Sequence, residues 1–170
     1  MHIKLTGNYK KQHREVRNPV YREAATSFAG GDGSEESPYE ISSAEELQYL
    51  SDLLSDEENR SSEYRNQHYI LTSDISLNDT SDYAGWSEAG PEYDWRPIGV
   101  AAAFGGVFDG NGHTISGLYI NADMEDDNTA DARKNGGLFA QIFGGTVKNL
   151  NLTEVYIEVS GDARDTGAIA

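Results

Sequence analysis

Asp109 and His113 stand four residues apart in the stretch FDGNGHTISGLYI (108–120), and Asp74 lies upstream. Two carboxylates and an imidazole lining a groove are what polysaccharide lyases and hydrolases use, one group giving a proton and another taking it. The neighbouring residues favour a plainer use. Asp109 sits in Asp-Gly-Asn-Gly, where an aspartate accepts a hydrogen bond from the backbone two residues on and so shapes a turn. Asp74 stands between two apolar runs and reads as a corner residue tolerant of the left-handed region. No catalytic residue is assigned.

The other chemistry-bearing groups fare similarly. A zinc protease needs two histidines at i and i+4 of a helix with a glutamate between them. His2, His13, His68 and His113 offer no such pair, which excludes that chemistry within these residues. Asp123, Glu125, Asp126 and Asp127 crowd oxygen ligands closely enough to suit calcium, the one cofactor the sequence allows. They lack the Asp-x-Asp-x-Asp-Gly order of a dedicated loop and read first as a solvated insertion; Asp79, Asp82 and Asp94 raise the same thought with less support. Trp86 and Tyr93 flank Gly90-Pro91 and would be freer than Trp95 to stack on sugar rings. Glycosylation sequons start at Asn59, Asn78 and Asn151, the last inside an expected strand and so the least usable.

The elements that must position these groups are legible as a repeat. TISGLYI (114–120) and TVKNLNL (146–152) match at Ile115/Val147, Leu118/Leu150 and Ile120/Leu152, with Gly117 and Asn149 at a corner that needs positive φ. HYILTSDISL (68–77) repeats the pattern with Asp74 at the corner, and the polar insert 78–94 lengthens the first interval. Gly-Gly marks at 105–106 and 136–137, and Gly167-Ala168, recur about every 30 residues. Residues 155–159 alternate, with Val155, Ile157 and Val159 inward. Ser42 and Ser43, followed three residues later by Glu45 and Glu46, open a helix over about 43–55 whose stripe is Leu47, Leu50 and Leu54. Strand, corner, strand, repeated, predicts an all-β chain: a right-handed parallel β-helix with an N-terminal capping α-helix. With a last Gly mark begun at 167, the sequence reads as part of a longer solenoid. The expected division is a basic tail or linker over 1–29 and the β-helix over 30–170, its coils running from about 68.

Charge bounds the partners. Residues 1–23 hold six Lys/Arg against two Glu, +4, so the rest of the 170 residues carries −20 of the net −16. Such a body repels phosphate backbones, which argues against nucleic acid. No apolar run is long enough to insert in a membrane, and the first 24 residues lack the apolar core of a signal peptide. The absence of cysteine excludes disulfide staples and thiolate metal sites.

Four blocks in order carry a family resemblance: GSEESPYEISSAEELQYL (33–50), YILTSDISL (69–77), WRPIG (95–99) with FGGVFDGNGHTISGLYI (104–120), and GGLFAQIFGGTVKNLNL (136–152). The chain resembles bacterial and archaeal surface proteins with GLUG-type repeats, and the non-catalytic β-helical region of immunoglobulin A1-specific metalloproteases. Gly-Gly-Leu-Phe-Ala stands at 136–140 where the repeat has Gly-Gly-Leu-Val-Gly. The resemblance implies an extracellular or cell-surface module without an active site: a stalk, an adhesin segment or a scaffold for a glycan or protein partner. The alternative is the accessory region of a secreted metalloprotease or polysaccharide-active enzyme.

Overall fold

The computed structural model describes residues 18–55, 63–123, 135–160 and 165–169. Strand β1 (Tyr39–Ile41) leads into helix α1 (Ala44–Ser55). A short 3-10 turn (Glu63–Asn66) then precedes β2 (His68–Leu71) and β3 (Ile75–Ser76). After the insert come β4 (Val107–Asp109), β5 (Thr114–Ser116), β6 (Tyr119–Asp123) and β7 (Asn135–Gly136). The last strands are β8 (Thr146–Lys148), β9 (Asn151–Thr153), β10 (Tyr156–Ser160) and β11 (Asp165–Thr166).

Every strand pairing is parallel, in four separate sheets ordered β1-β2-β4-β8, β3-β5-β9, β6-β10 and β7-β11. Apolar residues line up in register across them: Tyr39, Tyr69, Phe108 and Val147 in one sheet, Ile75, Ile115 and Leu152 in the next, Ile120 and Ile157 in the third. The alternation seen in the sequence buries one side of each strand, so Tyr69, Phe108, Ile115, Leu118 and Ile120 lie in one continuous core with the leucines of α1. Val155, Ile157 and Val159 pack against that core as half-buried side chains, on the side the alternation assigns them.

The in-register steps are not those of the sequence repeat. Thr114 pairs with Asn151, and Thr146 pairs instead with Val107. TISGLYI and TVKNLNL therefore occupy different corners, although both contain one. Gly117 (φ 77°) turns the chain from β5 to β6, whereas Asn149 (φ 53°) turns it from β8 to β9. The residue across from Gly117 is Glu154, itself at φ 46°. Asp74 is not in the left-handed region, and Ile75 pairs with Ile115 where the sequence match sets it opposite Leu118; the third copy of the pattern is thus out of register. The same offset affects the Gly-Gly marks. Gly136 and Gly167 share a hydrogen bond as neighbouring turns, but Gly106 lies beside Thr146, to which its carbonyl is bonded, and not beside Gly137.

Helix α1 covers one end of this core. Leu47, Leu50 and Leu54 are fully buried, as their spacing requires. Ser43 Oγ accepts the Glu46 N–H at 3.2 Å, and Glu46 Oε2 reaches back to the Ser42 N–H at 2.6 Å, a capping box displaced by one residue. At the other end of the helix the Leu54 carbonyl accepts the Ala101 and Ala102 N–H groups. The free edge of β1 is closed by an antiparallel bridge between Gly30 and Glu40. Residues 18–29, which composition groups with a basic tail, run back over α1 and seat Phe28 among Tyr39, Tyr49, Tyr64 and Tyr69.

Candidate functional site

The polar groups singled out in the sequence meet at the corners, where each binds a neighbouring turn of chain. Asp109 Oδ1 accepts the Asn111 N–H at 2.8 Å, the turn contact its motif predicts. It also accepts Asn149 Nδ2 at 3.0 Å, and Lys148 Nζ lies 3.3 Å from Oδ2. Asn111, at φ 52°, donates its amide across to the Leu71 carbonyl at 3.3 Å. One short corner thus ties together β2, β4 and β8. A second corner repeats the device. Asp74 Oδ1 accepts the Thr114 N–H at 2.9 Å and lies 3.2 Å from His113 Nδ1. Asn151 then gives its side-chain amide to the Gly112 carbonyl at 3.1 Å.

Electrostatics follow from these bonds. The Thr114 N–H, then the His113 ring, hold the Asp74 carboxyl below the ordinary carboxylate range. Desolvation opposes ionisation of Asp109, but the Asn111 N–H, the Asn149 amide and Lys148 together outweigh it and hold that carboxyl low as well. A glycosidic acid–base pair needs one carboxyl raised so that it carries a proton near neutrality. Asp74 and Asp109 are both pulled the other way, and both are engaged in bonds between neighbouring turns.

The aromatic candidates are placed differently from the expectation of free side chains. Trp86 is only 2% exposed. It meets Tyr119 edge-on at 5.7 Å and Tyr83 at 5.1 Å, while Tyr119 stacks on Tyr156 at 5.3 Å with an interplanar angle of 17°. Tyr83 donates its hydroxyl to the Val155 carbonyl at 2.8 Å. The insert is therefore folded down over β6 and β10, because an indole has more apolar area than a polar loop can leave in water. Tyr93 is half-buried beneath the Arg22 guanidinium, 4.3 Å from its ring centre. Trp95 is buried, as expected, with Nε1 donating to the Leu138 carbonyl.

Of the calcium candidates, Asp123 contributes backbone to β6, and Glu125, Asp126 and Asp127 lie outside the described residues. Among the described residues no three acidic or histidine side chains converge as a metal site would require. Asp79 accepts the Ser81 N–H at 2.9 Å, a local turn bond, and Asp94 accepts the N–H of the distant Val20 at 2.9 Å. The sequons reverse their expected order. Asn78 is buried, its amide shared between the Tyr93 and Gly117 carbonyls, whereas Asn151 is exposed on the outer side of β9; Asn59 lies outside the described residues.

The sequence reading missed the pair Tyr21-Arg22. Arg22 contacts Glu45, the Leu77 carbonyl and Tyr93, and Tyr21 lies 4.3 Å from the Arg96 guanidinium. The available signal was an arginine beside a tyrosine in a segment otherwise lacking periodicity, which has no meaning until its partners are known.

Comparison with known proteins places the chain beside parts of much larger ones. It is 33% identical over 160 residues, 91% of its length, to a protein of Evansella cellulosilytica named "Putative Gly-rich membrane protein". It is 35% identical over 152 residues to Halomucin of Haloquadratum walsbyi. The chain spans 15% of the first relative and 1% of the second. No family model matches it, and no solved structure does. Among the described residues no helix is long and apolar enough to cross a membrane.

Proposed function

We propose that the chain is a non-enzymatic structural module of an extracellular or cell-surface protein, built as coils of a right-handed parallel β-helix of the GLUG-repeat kind. The observation that carries this reading is the use made of Asp74 and Asp109. Each candidate catalytic carboxylate is a rung between successive turns of backbone, so the chemistry-bearing residues serve cohesion. Parallel strands stacked in register give a stiff body, and the loops between them can change without disturbing the core. Relatives of which this chain would form a small part, one of them named for a membrane, suit a stalk or scaffold repeated within a long surface protein. A glycan or protein partner would be met by the loops.

The test is a screen of polysaccharides for binding and for turnover with the purified chain. Binding without turnover, or neither, agrees with the proposal. Any turnover abolished by Asp109→Asn contradicts it and favours the accessory or catalytic part of a polysaccharide-active enzyme.

A further inference from the structure

We infer that the groove between α1 and the insert 78–94 is a peptide-recognition site, occupied in this chain by its own residues 18–29. The contacts are those of a bound extended peptide. Asp94, itself 4% exposed, reads both backbone groups of one residue: Oδ2 accepts the Val20 N–H at 2.9 Å, and its own N–H donates to the Val20 carbonyl at 2.7 Å. The next two side chains form a reciprocal pair with the body. Tyr21 of the segment takes Arg96 of the body, and Arg22 of the segment takes Tyr93 of the body, each guanidinium 4.3 Å from its ring centre. Arg22 is fixed further by Glu45 Oε1 and the Leu77 carbonyl, both at 2.9 Å. Downstream, the Ala25 N–H donates to the Glu45 carbonyl at 2.9 Å.

Folded domains recognise peptide segments by pairing with their backbone and capturing their side chains, here the consecutive Tyr21 and Arg22, and arginine supplies the charge-assisted part. Charge complementarity is local: Arg22, the one cation of residues 18–29, meets the Glu45 carboxylate. The segment is joined to the body through Gly31–Ser37, where Gly33 is buried and Ser34, Glu35, Glu36 and Ser37 are exposed and open to cutting. The site reads only the backbone of Val20, whose side chain is exposed, and selects the Tyr-Arg that follows it. It therefore acts as a clamp that fixes the direction in which the chain enters the stack.

The experiment uses the full chain with a protease recognition sequence inserted between Glu35 and Glu36. After cutting, the N-terminal piece is expected to co-elute with the body, and a synthetic peptide of residues 18–30 in excess should exchange it. Tyr21→Ala or Arg22→Ala should weaken retention about tenfold, the loss expected of a cation–π contact with a charge-assisted bond. The same peptide carrying Arg22→Ala should compete correspondingly less. Both substitutions leave Phe28 and Gly30, through which the cut piece also packs on the body, unchanged. Release of the wild-type piece on cutting, or retention untouched by both substitutions, overturns the inference.

Discussion

Asp109 illustrates how a residue suited to catalysis is diverted to structure. Its carboxylate is stabilised as the anion by two amide donors and Lys148, so its folded pKa lies below the unfolded value of about 3.9. A group depressed in this way adds stability above the unfolded pKa and loses it as pH falls through the folded one. Asp109→Asn should therefore lower the melting temperature at neutral pH, with the gap closing as the pH falls below the unfolded value of about 3.9. Melting curves of both proteins between pH 7 and 2.5 would show this; a gap constant with pH would mean the charge is idle. The opposed corner residues Gly117 and Glu154 give a second pair of expectations. A Cβ on Gly117 would stand 2.8 Å from the Asn78 carbonyl oxygen at a φ of 77°, so Gly117→Ala should cost about 2–4 kcal/mol. Glu154 bears its side chain at φ 46°, and Glu154→Gly should gain about 0.5–1 kcal/mol. Urea unfolding of the two variants decides; a Gly117→Ala variant as stable as the parent, or a Glu154→Gly variant less stable than it, would contradict the left-handed reading of these corners.

At the scale of elements, the insert 78–94 is a folded cover over β6 and β10. Burial of Trp86 against Tyr119 and Tyr83 predicts that Trp86→Ala destabilises by about 3–5 kcal/mol, read by thermal or urea unfolding. A free sugar-binding tryptophan could instead be removed at little cost. What was legible in the sequence follows the same division. Helix α1 and the inward set Val155, Ile157 and Val159 could be read because capping residues and apolar periods are local signals. The register could not. Strand-corner-strand recurs at two different corners, so matching TISGLYI to TVKNLNL aligned one kind of corner with another. The true neighbours, such as Ile115 and Leu152, are set by loop lengths that vary from turn to turn. Trp86 was misjudged for a related reason: the strand it covers is remote in sequence. The Asx turn at Asp109, being local, was read correctly.

At the scale of the molecule, the expected response to calcium is indifference. The acidic run 123–127 reads as a solvated insertion, so millimolar calcium should leave the melting temperature unchanged; a rise of several degrees would place a cation there. The strands stack in parallel register, and corner side chains bond one strand's turn to the next. Because the chain has no cysteine, paired substitutions report that register without interference. Thr114 and Asn151 are direct partners on neighbouring parallel strands, at a separation a disulfide can bridge. Thr114 and Thr146 are matched by the sequence repeat but not by the fold. The account predicts that the chain with Thr114→Cys and Asn151→Cys oxidises to an intramolecular disulfide under mild conditions, while that with Thr114→Cys and Thr146→Cys does not. Cross-linking of the second pair in preference to the first would contradict it.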